Sequence, residues 1–285
     1  MKRGFTILAI VTGLLLSFAL YEALIAAPTE RTMGDVQRIF YYHVPSAWTA
    51  LTLFLINFLA SIQFLIRPHD QGNKIAKWVV IAVAIAACIA AVVIRHMPFE
   101  VRGSAVATSG IALAAVYFLI ERYFPRDATD ILALVAAEVG VVFCTIVLVT
   151  GPIWAKPVWG IWWDTQDIRL NSTLALWLIY VSYLILRQFS TSSKTAAIAA
   201  AWAIFGALDV PFVFFSIWFY RTQHPSPVIA MGGYLDPRMA HVLLINWAAF
   251  LCLAWLMSWT RFRLEVLKRE VEEAQSLQSL LEPSR

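Results

Sequence analysis

Long runs of apolar residues alternate with short polar segments along nearly the whole chain. A helix that crosses a lipid bilayer needs roughly 20 mostly apolar residues. Eight stretches approach this length, the third, fourth and sixth being the shortest. They lie at 5–26, 45–66, 78–94, 104–120, 131–153, 171–186, 195–219 and 239–259. The pattern predicts an all-α protein, a polytopic membrane helix bundle with about eight transmembrane helices.

The composition agrees with a membrane protein and leaves no room for a separate soluble domain. Hydrophobic residues make up 60% of the chain and charged residues 14%, with a mean hydropathy of +0.72, whereas a soluble domain is about a quarter charged. We therefore expect a single membrane domain over residues 1–260. Residues 261–285 place apolar side chains at helical spacing between charges, which predicts a cytoplasmic amphipathic tail on the membrane or on a partner. A frayed polar tail is the alternative.

The distribution of basic residues predicts the orientation in the membrane. With the N-terminus inside, 14 of the 22 Lys and Arg residues face the cytoplasm, as the positive-inside rule expects. An even number of helices then puts both termini in the cytoplasm and the segments 27–44, 95–103, 154–170 and 220–238 outside. The net charge of +4 is explained by orientation, so binding to nucleic acid is not expected.

Several kinds of site are excluded by the motifs. The cysteines Cys88, Cys144 and Cys252 each fall in an apolar stretch and form no C-x-x-C pair, so neither a redox motif nor a zinc knuckle is present. The chain has no phosphate-binding G-x-x-x-x-G-K-[ST] motif. Any ATP-driven step would therefore belong to another subunit.

The predicted outer segments carry an unusual share of the aromatic and imidazole side chains. A tryptophan-rich outer loop at 151–170 contains Trp154, Trp159, Trp162 and Trp163. Four of the five histidines are placed on the same side: His43, His96, His224 and His241. Interfacial tryptophans usually form an aromatic belt at headgroup level, but four within ten residues exceed what a belt needs. They indicate a shaped aromatic surface.

These residues suit a planar, amphipathic ligand. Trp rings offer apolar stacking area, and Arg38, Lys156 and Arg169 are candidates to pair with carboxylates. Histidines from two separate loops are candidates to ligate a metal from opposite faces, as in a haem with two axial imidazoles. On these grounds haem, a quinone, a lipid and other aromatic ligands all stay open.

Three stretches in order along the chain resemble one family. Gln37–Trp48, Glu138–Leu170 and Ser216–His224 are similar to motifs of the CcmC family of cytochrome c biogenesis proteins, the haem-handling branch of the tryptophan-rich "WWD" superfamily. The resemblance implies that the tryptophan-rich loop forms a haem platform on the outer face. It implies His43 and His224 as axial ligands of a non-covalently bound haem b. Asp167 and Arg169 occupy motif positions and are expected to keep their roles.

The chain departs from the family pattern in two places. The family motif reads W-G-x-W-W-x-W-D-x-R-L, whereas this chain is one residue longer and has Gln166 in place of the tryptophan before Asp167. Asp164 is therefore a competitor for the role of Asp167. Family members usually have six spanning helices, and residues from about 69 to 127 look like an inserted pair. Two additional helices would preserve the sidedness of every later loop.

The resemblance implies a haem-handling protein that is not an enzyme. Such a protein would sit in the bacterial inner membrane, present haem on the periplasmic face and pass it to a haem chaperone of the CcmE type. CcmA, CcmB and the small protein CcmD, together with membrane lipid, are the expected partners. A CcsA-type cytochrome c synthase component and a small-solute transporter are the alternatives.

Other polar residues receive structural explanations. We expect His96 to be a solvated loop residue and His241 to cap the last helix. Asp209 is expected to answer backbone groups freed by a kink at Pro211. Glu138 lies in an apolar stretch without an obvious partner, so a neutral, hydrogen-bonded acid is expected there.

Overall fold

The computed structural model describes residues 2–66, 103–190, 194–220, 224 and 235–281, and the regular secondary structure of this part of the chain is helical apart from one isolated bridge between Glu30 and Gly34. The α-helices are α1 Lys2–Tyr21, α2 Phe40–Ile66, α3 Gly103–Tyr123, α4 Arg126–Trp159, α5 Ile168–Phe189, α6 Thr195–Ala207, α7 Asp209–Phe219 and α8 Pro237–Leu281. A π-helical turn, Glu22–Ala26, follows α1, and a 3-10 turn, Asp35–Ile39, leads into α2.

The described residues form a polytopic membrane helix bundle, as the hydropathy pattern predicts. Six helical stretches among them are long and apolar enough to cross a bilayer. The predicted stretch at 104–120 corresponds to α3, whereas the one at 78–94 lies outside the described residues. The stretch at 195–219 is divided between α6 and α7 at Leu208, close to Pro211. A proline there has no N–H to offer the preceding turn, which accounts for a break at this point.

Two helices extend further toward the tryptophan-rich end than the hydropathy pattern predicts. The helix α2 begins at Phe40, before the predicted stretch at 45–66, so Pro45 lies inside it and His43 is already helical. The helix α4 continues through Pro152 and Pro157 to Trp159. Hydropathy reports which residues face lipid, while the backbone hydrogen bonds of a helix continue past the apolar layer. The predicted start of α2 and the predicted end of α4 were therefore wrong.

The core of the bundle is formed where α2 packs along α4. Gly140 of α4 permits the closest approach, since an added Cβ would lie only 2.6 Å from Cε1 of Phe54. The ring of Phe54 stacks on Tyr180 of α5 with centroids 3.8 Å apart and an interplanar angle of 8°. Gly206 plays the same role between α6 and α5, where a Cβ would meet Ile179 at 2.8 Å. Small residues thus bring four helices together, as is usual in membrane bundles.

A cluster of ion pairs joins α4, α5 and α8 at the opposite end from the tryptophans. Both carboxylate oxygens of Asp130 accept from Arg187, and Oδ2 also accepts from Arg269 at 2.7 Å. Arg261 lies 2.7 Å from Glu138 and 2.9 Å from Glu265. The expectation of a neutral acid at Glu138 was wrong, because Arg261 is far away in sequence but adjacent in the fold. These six residues are called the ionic cluster below.

Candidate functional site

A cavity of about 320 Å³ opens at the tryptophan-rich end of the bundle. Its walls come from α2, α4 and α5, with single residues from the segment between α4 and α5, from α7 and from position 224. Side chains that lie around it include Phe40, His43, Trp48, Phe54, Cys144, Leu148, Trp154, Trp159, Trp163, Arg169, Leu176, Val213 and His224. The lining is mostly apolar with a few convergent polar groups, which is the usual character of a small-molecule site.

Two histidines that are far apart in sequence meet in this cavity. His43 belongs to the first turn of α2, and His224 follows α7. Their ring centroids lie 6.4 Å apart with an interplanar angle of 35°. Both rings are half-buried. The two residues expected to act as a pair are therefore brought together by the fold.

The fold also directs one arginine into the cavity. Asp167 is the N-cap of α5, and its Oδ1 accepts hydrogen bonds from the backbone N–H groups of Arg169 at 2.9 Å and Leu170 at 3.2 Å. This cap fixes Arg169 in the first turn of α5, where it lines the cavity together with His43. Asp164 instead accepts from the backbone N–H of Gln166. Asp167 is thus the carboxylate that positions Arg169, and Asp164 does not take this place.

One nitrogen of Arg169 lacks a partner. Its Nη1 is buried and finds no hydrogen-bond acceptor within the described part of the chain. A buried donor of a charged group that is left unpaired costs free energy, on the order of 1–3 kcal/mol or more. An anionic group of a bound ligand would remove that cost. The arrangement therefore favours a ligand that carries a carboxylate.

The tryptophans divide into lining and exposed rings. Trp154 and Trp159 pack edge to face with centroids 5.1 Å apart and both border the cavity. Gly160 then ends α4 in the left-handed conformation, with φ of 79°, and the chain turns back toward the cavity. Trp163 also lines it, and its Nε1 donates to Asn171 at 3.2 Å. Trp162 is 58% exposed and does not border this cavity.

Other expected site residues lie elsewhere. Lys156 donates from Nζ to the carbonyl oxygen of Gly160 at 2.9 Å. Arg38 donates to Asp35 and to the backbone oxygen of Ala23. Neither borders the cavity. His241 is exposed on α8 and also lies apart from it, while His96 falls outside the described residues.

The cavity is deeper than the sequence motifs indicate. Phe54 lies three helical turns below His43, or about 16 Å along the helix axis at 1.5 Å per residue. The lower walls are apolar, with Leu148, Leu176 and Val213. Residues 43, 47, 51 and 54 follow helical spacing, as do 144, 148, 151 and 155. This helical spacing is the only feature of the sequence that indicates the deeper wall of the cavity. The same spacing is found in residues that pack in an ordinary helix core.

The donor set fits a haem better than a bare metal ion. Among the described residues, no group of three or more His, Cys, Asp or Glu side chains is placed to hold a metal. An iron held by two imidazoles would still need four in-plane donors, and a haem macrocycle supplies four nitrogens in one plane. With metal–nitrogen bonds of about 2 Å on each side, the two ring centres would lie about 6 Å apart. The observed 6.4 Å agrees with that separation.

Comparison with known proteins gives one family. Residues 91–277 match the family model described as "CcmC: Heme exporter protein C". The chain is 28% identical over 275 residues to Heme exporter protein C of Bradyrhizobium diazoefficiens, covering 95% of this chain and 82% of the relative. It is 27% identical to the protein of the same name from Haemophilus influenzae over 79% of this chain and 85% of that one.

The protein named Heme exporter protein C of Escherichia coli is 29% identical over 63% of this chain and 71% of its own length. The matched region includes the tryptophan-rich segment, the ionic cluster and His224. The motif resemblance, the convergence of those motifs on one cavity and the family match all agree. The chain belongs to the CcmC family of heme exporter proteins.

Proposed function

We propose that this chain binds one non-covalent haem b in the cavity at its tryptophan-rich end, with His43 and His224 as axial ligands of the iron. The observation that carries the proposal is the 6.4 Å separation of the two imidazole rings. Arg169 would pair with a propionate carboxylate, and Trp159 and Trp163 would pack against the macrocycle. The apolar lower walls suit the vinyl edge of a haem.

The cavity is proposed to face the outer side of the membrane. The ionic cluster, with its three arginines, lies at the other end of α4 and α5. Basic residues are enriched on the cytoplasmic side of membrane proteins. This placement puts the start of α1 and the end of α8 in the cytoplasm and the tryptophans on the periplasmic face of a bacterial inner membrane.

In this role the chain handles haem in cytochrome c maturation and is not an enzyme. The side chains supply ligation, orientation and exclusion of water, while any covalent bond formed to haem later is chemistry of the cofactor and its acceptor. The exposed Trp162 would meet the receiving protein. We propose that this receiver is a haem chaperone of the CcmE type, and that CcmA, CcmB and CcmD are assembly partners.

Transfer of haem to an added acceptor protein tests this role. Haem-loaded protein is mixed with a CcmE-type chaperone or with an apocytochrome that carries C-x-x-C-H, and haem in each acceptor is measured. Transfer to the chaperone, abolished by His43→Ala and retained by His241→Ala, is the expected result. Direct attachment to the apocytochrome without the chaperone would instead support a CcsA-type synthase component.

A further inference from the structure

We infer that Thr150 is a positioning residue that presets His43 to offer Nε2 to the iron. This inference rests on the proposed function, because it assigns a role within the same site. Thr150 lies on α4, near the outer end of that helix and across from the first turn of α2. Its hydroxyl oxygen is 2.9 Å from Nδ1 of His43, a hydrogen-bond distance between two residues that are 107 positions apart in sequence.

The direction of this hydrogen bond follows from the single proton of the hydroxyl. The Oγ1 of Thr150 also lies 2.7 Å from the carbonyl oxygen of Ile146, one turn earlier on α4, and 3.4 Å from that of Val147. Carbonyl oxygens only accept, so the hydroxyl proton is directed to Ile146. The oxygen then accepts from His43, which requires the ring proton to be on Nδ1.

A neutral imidazole with its proton on Nδ1 has its lone pair on Nε2. That nitrogen is the one available to a metal, and a hydrogen bond to the other ring nitrogen is how metal-ligating histidines are usually held. The acceptor here is a neutral hydroxyl rather than a carboxylate. It therefore fixes the ring while adding no negative charge to an apolar pocket.

The residue next to Thr150 also faces the imidazole. Gly151 borders the cavity, and a Cβ added to it would lie 3.4 Å from Cε1 of His43, an ordinary van der Waals contact. The ring therefore lies close to the backbone of α4 at this point. The hydrogen bond to Thr150 then sets the rotation of the ring, whereas the sequence motifs indicated only the histidine.

The test compares two substitutions at this position with a matched control. Thr150→Val keeps the branched shape and removes the acceptor, and Thr150→Ser keeps the hydroxyl. Thr145 provides the control: it lies on the same helix, makes the same bond to the carbonyl four residues earlier, and accepts from Nε1 of Trp177 at 2.8 Å. Thr145→Val therefore removes an equivalent hydroxyl that does not contact His43.

The first readout uses haem-free protein labelled with ¹⁵N in histidine. The resonances of His43 are identified by their loss in His43→Ala. We expect a protonated Nδ1 and an unprotonated Nε2 in the unmodified protein, in Thr150→Ser and in Thr145→Val. Thr150→Val is expected to shift the ring toward the tautomer protonated on Nε2. An unchanged tautomer in Thr150→Val would overturn the inference, whether or not the protein binds haem.

The second readout uses the haem-loaded protein. Loss of a partner that orients a ligand typically costs 10- to 100-fold in affinity, so we expect Thr150→Val to weaken haem binding by about tenfold. The midpoint potential of the haem in Thr150→Val should rise, because a less basic imidazole stabilises the ferric state less. Both values should return toward normal in Thr150→Ser. If Thr150→Val matched Thr145→Val in both, Thr150 would have no positioning role even with His43 as a ligand. If the unmodified protein bound no haem, the proposed function would fail separately.

Discussion

At the scale of single residues, the site depends on groups whose own interactions are incomplete within the protein. The guanidinium of Arg169 is the clearest case, because its buried Nη1 awaits an acceptor. We predict that Arg169→Met lowers haem affinity by about tenfold or more, since charge-assisted hydrogen bonds contribute about 1.5–3 kcal/mol. Lys156→Met is the control, because the Lys156 amine donates to the carbonyl oxygen of Gly160 and does not border the cavity. Equal affinities of the two variants, measured by haem titration, would remove Arg169 from the site.

The tryptophans are predicted to separate into two classes. Trp163 lines the cavity, so Trp163→Ala should reduce haem retention through loss of packing area. Trp162 is 58% exposed, so Trp162→Ala should retain haem yet slow its transfer to the chaperone. Retention and transfer rate are measured on the same preparations. If Trp162→Ala lost haem while Trp163→Ala kept it, the two rings would have been assigned to the wrong roles.

At the scale of helices, the ionic cluster holds α8 against α4 and α5. Asp130 is almost fully buried and accepts from both Arg187 and Arg269. We predict that Asp130→Asn destabilises the bundle by about 3–5 kcal/mol, because removing one partner leaves buried charge uncompensated. Thermal unfolding in detergent measures the effect. The matched control is Glu272→Gln, whose pair with Lys268 is exposed and worth about 1 kcal/mol or less. A similar loss in both variants would contradict the role of the cluster.

The helices themselves were largely predictable, whereas their ends were not. Apolar stretches indicate where lipid surrounds the chain, and every predicted stretch except the one at 78–94, which lies outside the described residues, falls on a described helix or helix pair. The predicted stretches begin at residue 45 and end at residue 153, yet α2 already begins at Phe40 and α4 continues to Trp159. Gly160 gave the better signal, since a left-handed residue commonly ends a helix. Local sequence specifies such a cap but does not reveal how far a helix continues beyond the membrane.

Sequence patterns did not predict which residues of different helices pair with each other. Glu138 has no partner nearby in sequence, and only the fold brings Arg261 to it across 123 residues. Thr150 likewise resembles any threonine in an apolar helix until His43 is placed beside it. The histidine pair itself was predicted, but through resemblance to a family and not through periodicity. Long-range contacts of this kind depend on packing, which a single-chain pattern does not encode.

At the scale of the whole molecule, the arrangement predicts that the two ends of the bundle lie on opposite sides of the membrane. Reporter fusions after Gly160 and after Leu281 would measure this directly. We expect a periplasmic signal from the first and a cytoplasmic signal from the second, because the ionic cluster and the end of α8 lie away from the cavity. A cytoplasmic signal at Gly160 would reverse the proposed direction of haem presentation.

The absorption spectrum of the purified protein tests the central claim most directly. With His43 and His224 on opposite faces of the iron, we predict a six-coordinate, low-spin haem spectrum. His43→Ala and His224→Ala should each lose that spectrum, and added imidazole should partly restore it by filling the vacated position. His241→Ala should leave it unchanged, because that ring lies apart from the cavity. A native spectrum in His43→Ala and His224→Ala, together with its loss in His241→Ala, would contradict the ligand assignment.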